Sequence, residues 1–466
     1  MNDIKEKIAD YINQHKSSLL YNIDHRSIEQ SVMGLINGNK AAGNILNIDD
    51  TTIKERVYKE IGQQETKQAL QIKEEGVVVY SQNSFVVSPR PAVYHDNGTT
   101  QPPQQQEKLQ INSFDMRILS KYKLIFKQCE LKFELNSNYP TSLTFHHQTM
   151  FFDCVFNAEY IIQTLSTDVF AIKNCTFNKN VYFSNAKFCN NVYFNNSHFK
   201  GYADFHECEF EKTACFYGAT FDNPPNFSQA IFKENLNFVN VKCDFEFENL
   251  KERIKQEKEQ DSKKTLDKFA NDFRDSFRLI KNALIKDNNL LDASNFHKYE
   301  LYCKEIELDS KNPKTFSKDW IDKIQLCFYR KLCNHHTDLI LNLKWLVITI
   351  GLFTILFFAS KIIQGKEILN LNHYGIALSA SSCIMIVLLC LFDYLKLLGG
   401  FAYLNLVATL WLVCYNPKLI FGVVNILGDS CFNSFENIVM VTYTIMMFLV
   451  LFSLQKTARK NSIIPH

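Results

Sequence analysis

The sequence predicts a multi-domain chain: a β-solenoid, then a helical hairpin, then a multi-pass α-helical membrane domain. Three observations predict it. Phenylalanine returns every five or six residues from Phe177 to Phe238, and an apolar stripe at three- and four-residue steps follows it. The last quarter of the chain is nearly free of charge, although 21% of all 466 residues are charged. That length leaves room for about two to four domains. The formal net charge of +2 gives no reason to expect nucleic acid as a partner.

Residues 1–75 read as a small helical module, because "SIEQSVMGLINGNKAAGNIL" and "TTIKERVYKEIGQQETKQALQIKEE" carry apolar residues three and four apart. Residues 76–108 change character. "VVSPRPAVYHDNGTTQPPQQQEK" holds four prolines and few large apolar residues after Tyr94, which reads as a Pro/Gln-rich linker. The first twenty residues mix charge and apolar residues at helical spacing, and no apolar h-region of a secretory signal follows them. The fourteen cysteines never form a CxxC pair, so reduced thiols in the cytoplasm are expected.

The repeat is the strongest signal. Its rings are Phe177, Phe183, Phe188, Phe194, Phe199, Phe205, Phe210, Phe216, Phe221, Phe227, Phe232 and Phe238, with steps alternating six and five. The true period is eleven residues. The next slot holds Cys243, and a looser register runs upstream through Phe145, Phe151, Phe156, Ile162 and, one residue short, Ile172. A helix would wind such steps around every face, since it needs about 3.6 residues per turn. A solenoid keeps every ring inside and buries each unit against its neighbours. The rings are therefore expected to form the core ladder, with "SNAK", "NNSH" and "HECE" at corners or facing water.

With units such as "FYGATFDN", residues 143–247 resemble the phenylalanine-rich branch of the pentapeptide-repeat family. The resemblance implies a right-handed quadrilateral β-helix, two eleven-residue units to a coil and about five coils. The chain departs from the family pattern in lacking its usual leucine and its Ala-Asp/Asn lead-in. We place this β-helix with an N-terminal cap at 109–248.

Residues 249–336 read as a helical hairpin and a membrane-proximal helix. Phe269, Phe273, Phe277, Ile280 and Leu284 form one stripe, "KDNN" breaks it, and Leu291, Ala293, Phe296, Leu301 and Ile306 form a second. The hairpin is similar to the one that leads into the membrane in membrane-bound pentapeptide-repeat proteins.

The transmembrane domain is expected at 337–460, with about four spans near 343–363, 374–394, 399–416 and 437–455, each within an uncharged run. Placing both termini in the cytoplasm puts Arg330, Lys331, Lys344, Lys396, Lys456, Arg459 and Lys460 inside. Lys361, Lys366 and Lys418 then lie outside, which satisfies the positive-inside bias. "LIFGVVNILG", with Gly422 and Gly428, is too short to cross and suits a re-entrant or interfacial segment. It has no TVGYG-like potassium filter.

No catalytic constellation emerges. "CFYRKLCNHHTD" offers Cys327, Cys333, His335 and His336, but the spacing lacks the paired ligands of a zinc site and reads as an interfacial helix leading into the membrane. His146 and His147 sit beside inward rings. Cys175, Cys189, Cys208, Cys215 and Cys243 read as small fillers of the stack. Asp204, Glu207, Glu209 and Glu211 could imitate a phosphate backbone, yet Lys187, Lys200 and Lys212 largely cancel them. The expectation is a non-enzymatic multi-pass protein of a bacterial inner membrane, without cofactor or metal. Its partners would be membrane lipid and a protein docked on a cytoplasmic β-helix, with homo-oligomers and no nucleic acid. The alternative is an ion-channel-like protein gated or assembled through the solenoid.

Overall fold

In the computed structural model, the eleven-residue repeat winds two units to a coil. Val181 aligns with Ala203, Lys187 with Glu209, Val192 with Ala214 and His198 with Thr220, each pair twenty-two residues apart. Four sides result, with parallel sheets of eight, six, four and three strands; the eight-stranded one begins with an antiparallel hairpin. The solenoid makes about five turns over residues 109–237. One coil is a residue shorter, aligning Phe151 with Ile172 and Phe156 with Phe177. The structure describes residues 2–15, 22–41, 50–72, 76–90, 107–133, 142–164, 168–260, 264–364, 373–391, 395–422 and 433–460. They fall into two units, Met1–Glu307 and Leu308–His466.

The alternation of six and five has a backbone cause. Within the five-residue steps, Asn185, Asn196, Glu207, Gly218, Gln229 and Asn240 have φ between 54° and 68°. Each is the third residue of a turn closed from the ring residue's carbonyl, as in Ala186 N–H to Phe183 O (2.8 Å) and Ala219 N–H to Phe216 O (2.9 Å). This is type II turn geometry, which needs a left-handed residue at that place. The fourth residue tucks under the corner, where only a small side chain fits: Ala186, Ser197, Cys208 and Ala219 are all buried.

Both ends of the stack are covered. Strands β1 (Gly76–Ser81) and β2 (Ser84–Pro89) form an antiparallel hairpin, and β2 runs parallel to Leu124–Lys127 as part of the eight-stranded sheet. This corrects the expected linker: its first part extends the solenoid, because "VVVY" and "FVV" supply β-branched and aromatic residues. Residues 91–106 of that linker lie outside the described residues. Helices α1 (Asn2–His15), α2 (His25–Ala41) and α3 (Asp50–Ala69) share a small core of Ile8, Ile12, Ile28, Val32, Val57 and Ile61. Gly62 of α3 lies so close to the buried Phe85 ring that a Cβ there would overlap it. Tyr122, just after α4 (Met116–Leu119), donates to the buried Glu65 carboxylate at 2.5 Å.

At the other end stand α5 (Phe247–Gln260), α6 (Leu266–Lys286) and α7 (Leu290–Ser310). The stripe Phe269, Phe273, Phe277, Ile280 and Leu284 of α6 is buried in the same continuous core as the solenoid rings. Phe227 N–H donates to Ser276 Oγ (2.6 Å), and the Tyr299 hydroxyl donates to the Cys243 carbonyl (3.2 Å). Repeat stacks need such caps, because a terminal coil has no neighbour to cover it.

The second unit contains α8 (Lys318–Cys333), α9 (Leu339–Ile363), α10 (His373–Leu391), α11 (Leu397–Tyr415) and α12 (Ser434–Lys460). Among the described residues, three helices are long and apolar enough to cross a membrane: Leu339–Ile363, Leu397–Cys414 and Ser434–Arg459, with mean hydropathy 2.3, 1.8 and 2.1. The remaining expected span, near 374–394, meets α10, of which Ala377–Leu391 is a shorter apolar helix among the described residues. Helices α9 and α12 run antiparallel. Asn342 Nδ2 donates to Ser453 Oγ at 3.0 Å near one end, and Lys361 pairs with Glu436 at 2.8 Å near the other.

Candidate docking face

Inside the solenoid the rings stand in columns. Phe183, Phe205 and Phe227 stack with centroids 4.8 and 4.6 Å apart, and Phe194, Phe216 and Phe238 stack at 4.8 Å in each step. Phe177, Phe199 and Phe221 form a third column, and Phe188, Phe210 and Phe232 a fourth. Neighbouring columns meet edge to face, as Phe205 does with Phe216 at 89°. This is the arrangement that ring quadrupoles favour. All twelve ladder residues are buried except Phe232, which is half-buried at the end of its column.

The outward slots differ between sides. On the three-stranded side, Lys187 pairs with Glu209 and Glu211, Lys233 pairs with the same two acids, and Lys212 pairs with Glu234. Hydrogen bonds from Lys233, then Lys187, hold the Glu211 carboxyl down to about 2. Acids and lysines therefore alternate and neutralise one another there. On the eight-stranded side most outward slots are apolar: Ile125, Met150, Phe152, Tyr193 and Val239 are half-buried and Tyr217 is exposed, with the half-buried Asn195 and Asn237 between them. Lys127 is exposed beside them, and Lys173 Nζ lies 4.6 Å over the Tyr193 ring. The six solenoid strands of this sheet contain no carboxylate. A flat sheet face with aromatic residues, aliphatic residues and two cations is chemically suited to contact rather than to bond-making.

The cysteines of the stack occupy the small corner slots. Cys129, Cys154 and Cys175 fall in one column and Cys208 in another, and each thiol donates to a buried carbonyl; Cys208 Sγ to Phe183 O is 3.0 Å. Burial pushes the Cys175 and Cys208 thiols well up, which keeps them neutral. Cys215 and Cys243, by contrast, lie outside these slots, and Cys189 is half-buried. In the second unit, Cys333 Sγ lies 3.5 Å from His336 Nδ1, and His335 is buried. Among the described residues no cluster of three or more His, Cys, Asp or Glu could hold a metal ion.

Gly422 is packed against α12, where a Cβ would meet Thr444 Oγ1, and Tyr443 donates to the Ile420 carbonyl at 2.7 Å. Gly428 lies outside the described residues.

The asparagines at several left-handed corners, Asn174, Asn185, Asn196 and Asn240, are spaced by multiples of eleven residues and were a second periodic signal that would have located the turns.

No curated protein and no solved structure matches the chain. The family described as pentapeptide repeats (9 copies) matches residues 170–209 and 205–246. The phenylalanine-ladder solenoid is thus a pentapeptide-repeat segment, carried by a membrane protein with three candidate spans.

Proposed function

We propose that the chain is a non-catalytic, membrane-anchored scaffold that presents the eight-stranded face of its solenoid to a protein partner in the cytoplasm. The observation that carries this reading is the carboxylate-free outer face around Ile125, Met150, Phe152, Tyr193 and Tyr217. Apolar patches on rigid sheets favour docking, and its two lysines fit a partner whose contact rim is acidic. Tyr193→Glu combined with Tyr217→Glu should abolish partner retention by the detergent-solubilised full chain. Hydrogen exchange across residues 170–240 should stay unchanged. Undiminished retention would refute the face.

The antiparallel pairing of α9 and α12 supports an even number of crossings, since the start of α9 and the end of α12 share a side. The α10–α11 hairpin, joined by Trp411 Nε1 to Ser379 Oγ (2.8 Å), would then supply one crossing out of that side's opposite and one back. Arg330, Lys331, Lys344, Lys456 and Arg459 gather toward the shared end, which suits the cytoplasmic side of a bacterial inner membrane. Thiol labelling from outside should reach a cysteine at Ser434, the exposed first residue of α12, and miss one at Arg459; the reverse pattern would invert the topology.

One observation favours the channel-like reading as a second. The 3-10 turn Pro417–Ile420 and Gly422 rest against Tyr443 and Thr444, about 15 Å into α12 at 1.5 Å per residue. Backbone of this kind at membrane depth must face protein or water. Ion flux in vesicles carrying the purified chain would promote this reading over the scaffold.

A further inference from the structure

We infer that α8 is a lipid-surface helix whose first two turns enter the headgroup layer of an anionic bilayer. The helix is complete in itself: Ser317 Oγ caps it by accepting from Trp320 N–H, and Asn334 closes it in the left-handed region. Its two ends are treated differently. Leu332 and Cys333, at its end, are buried and pack with Val450 of α12, alongside Trp345 and Leu346 of α9. Phe316 just before it (80% exposed), Ile321 (53%) and Ile324 (47%) face outward instead, and the Trp320 ring lies 5.1 Å from Phe316. These four fall within one arc of the helix, while Lys318, Asp319 and Asp322 lie on the other side at 100° per residue.

The occupant follows from continuity with the span. Only the turn at residues 334–338 separates α8 from α9, and Trp345 Nε1 donates to the Lys331 carbonyl at 2.9 Å. The end of α8 is therefore fixed at the level of the first two turns of α9, where a membrane boundary would lie. An apolar arc held at that level meets acyl chains rather than bulk water, and a helix with aromatic and basic residues is the form that interfacial helices take. Residues 311–331 carry Lys311, Lys314, Lys318, Lys323, Arg330 and Lys331 against Asp319 and Asp322. Lys323 is engaged by Asp309, leaving exposed Lys314, Lys318 and Lys331 for anionic headgroups.

This inference rests on the membrane reading, so the test separates the two. The full chain would be reconstituted in phosphatidylcholine vesicles with and without phosphatidylglycerol. The emission of Trp320 would be obtained as the difference between wild type and Trp320→Phe. Acyl-brominated lipid should quench it, acrylamide should not, and phosphatidylglycerol should increase the bromine quenching. Ile321→Glu with Ile324→Glu should open tryptic cleavage at Lys318 while α9 stays inserted. Trp320 that remains open to acrylamide in a chain resisting alkaline extraction overturns the inference alone. Trp320 shielded from both quenchers in a chain that cross-links as a dimer overturns it in favour of a second copy. A chain released by alkaline extraction removes the membrane reading itself.

Discussion

Replacing Phe205 with alanine removes a ring sealed on all sides. It is fully buried, stacks on Phe183 at 4.8 Å and on Phe227 at 4.6 Å, and meets Phe194 and Phe216 edge-on at 5.4 and 5.3 Å. Those neighbours are held by backbone hydrogen bonds between coils, as Phe183 N–H to Asp204 O (2.7 Å) and Phe194 N–H to Cys215 O (2.7 Å), so the cavity cannot collapse. The cost should sit at the upper part of the usual range for Phe→Ala, about 4 kcal/mol. Phe232→Ala is the internal comparison. That ring is half-buried and stacks only on Phe210, so it should cost about 1–2 kcal/mol. Hydrogen exchange of the full chain in detergent reads both changes by mass spectrometry. At tenfold per 1.4 kcal/mol, opening of the coils around residue 205 should become about a thousandfold more frequent. The effect should spread to the adjacent coils, because each leans only on its neighbours. Equal protection in the Phe205→Ala and Phe232→Ala proteins would refute the ladder as the source of stability.

Other outcomes follow from the same structure. Glu207 holds a left-handed corner with φ 55° where most equivalent corners have Asn or Gly, so Glu207→Asn should raise stability by about 0.5–1 kcal/mol in thermal unfolding. In the α6–α7 hairpin, burial alone would raise the Glu300 carboxyl, but hydrogen bonds from His297, Lys281 and Arg278 outweigh it and hold it down to about 2. A depressed carboxyl contributes its stability above the ordinary value of 4.5 and loses it as pH falls toward about 2. Exchange protection in α6–α7 should therefore drop across that window, and Glu300→Gln should flatten the drop. Gly422→Val should disturb the packing on Thr444 and lower the melting temperature of the second unit; a silent result would mean the 417–422 segment does not press on α12.

The solenoid was legible because its signal is covalently periodic: a ring at each inward slot cannot be exchanged for a polar residue without opening the core. The corner chemistry was legible too, in Asn185, Asn196 and Gly218, but it is a weaker signal, since Glu207 and Gln229 occupy the same conformation. The β1–β2 hairpin was hidden by the proline and glutamine content that follows it. Its strands are recognisable only when Phe85 is seen filling the space between Gly62 and Tyr122. The docking face is harder still. Its residues are ordinary outward neighbours of the rings, and only the fold places Met150, Tyr193 and Tyr217 on one side while Lys187, Glu209 and Lys233 share another.

The reading of that face is tested most directly by site-specific photocrosslinking in intact cells. A benzophenone amino acid would replace Tyr193 or Tyr217 on the apolar side, or Lys187 or Lys233 on the ion-paired side. One discrete adduct is expected from positions 193 and 217 and none from 187 and 233. An adduct of equal yield from both sides, or from the ion-paired side alone, would contradict it.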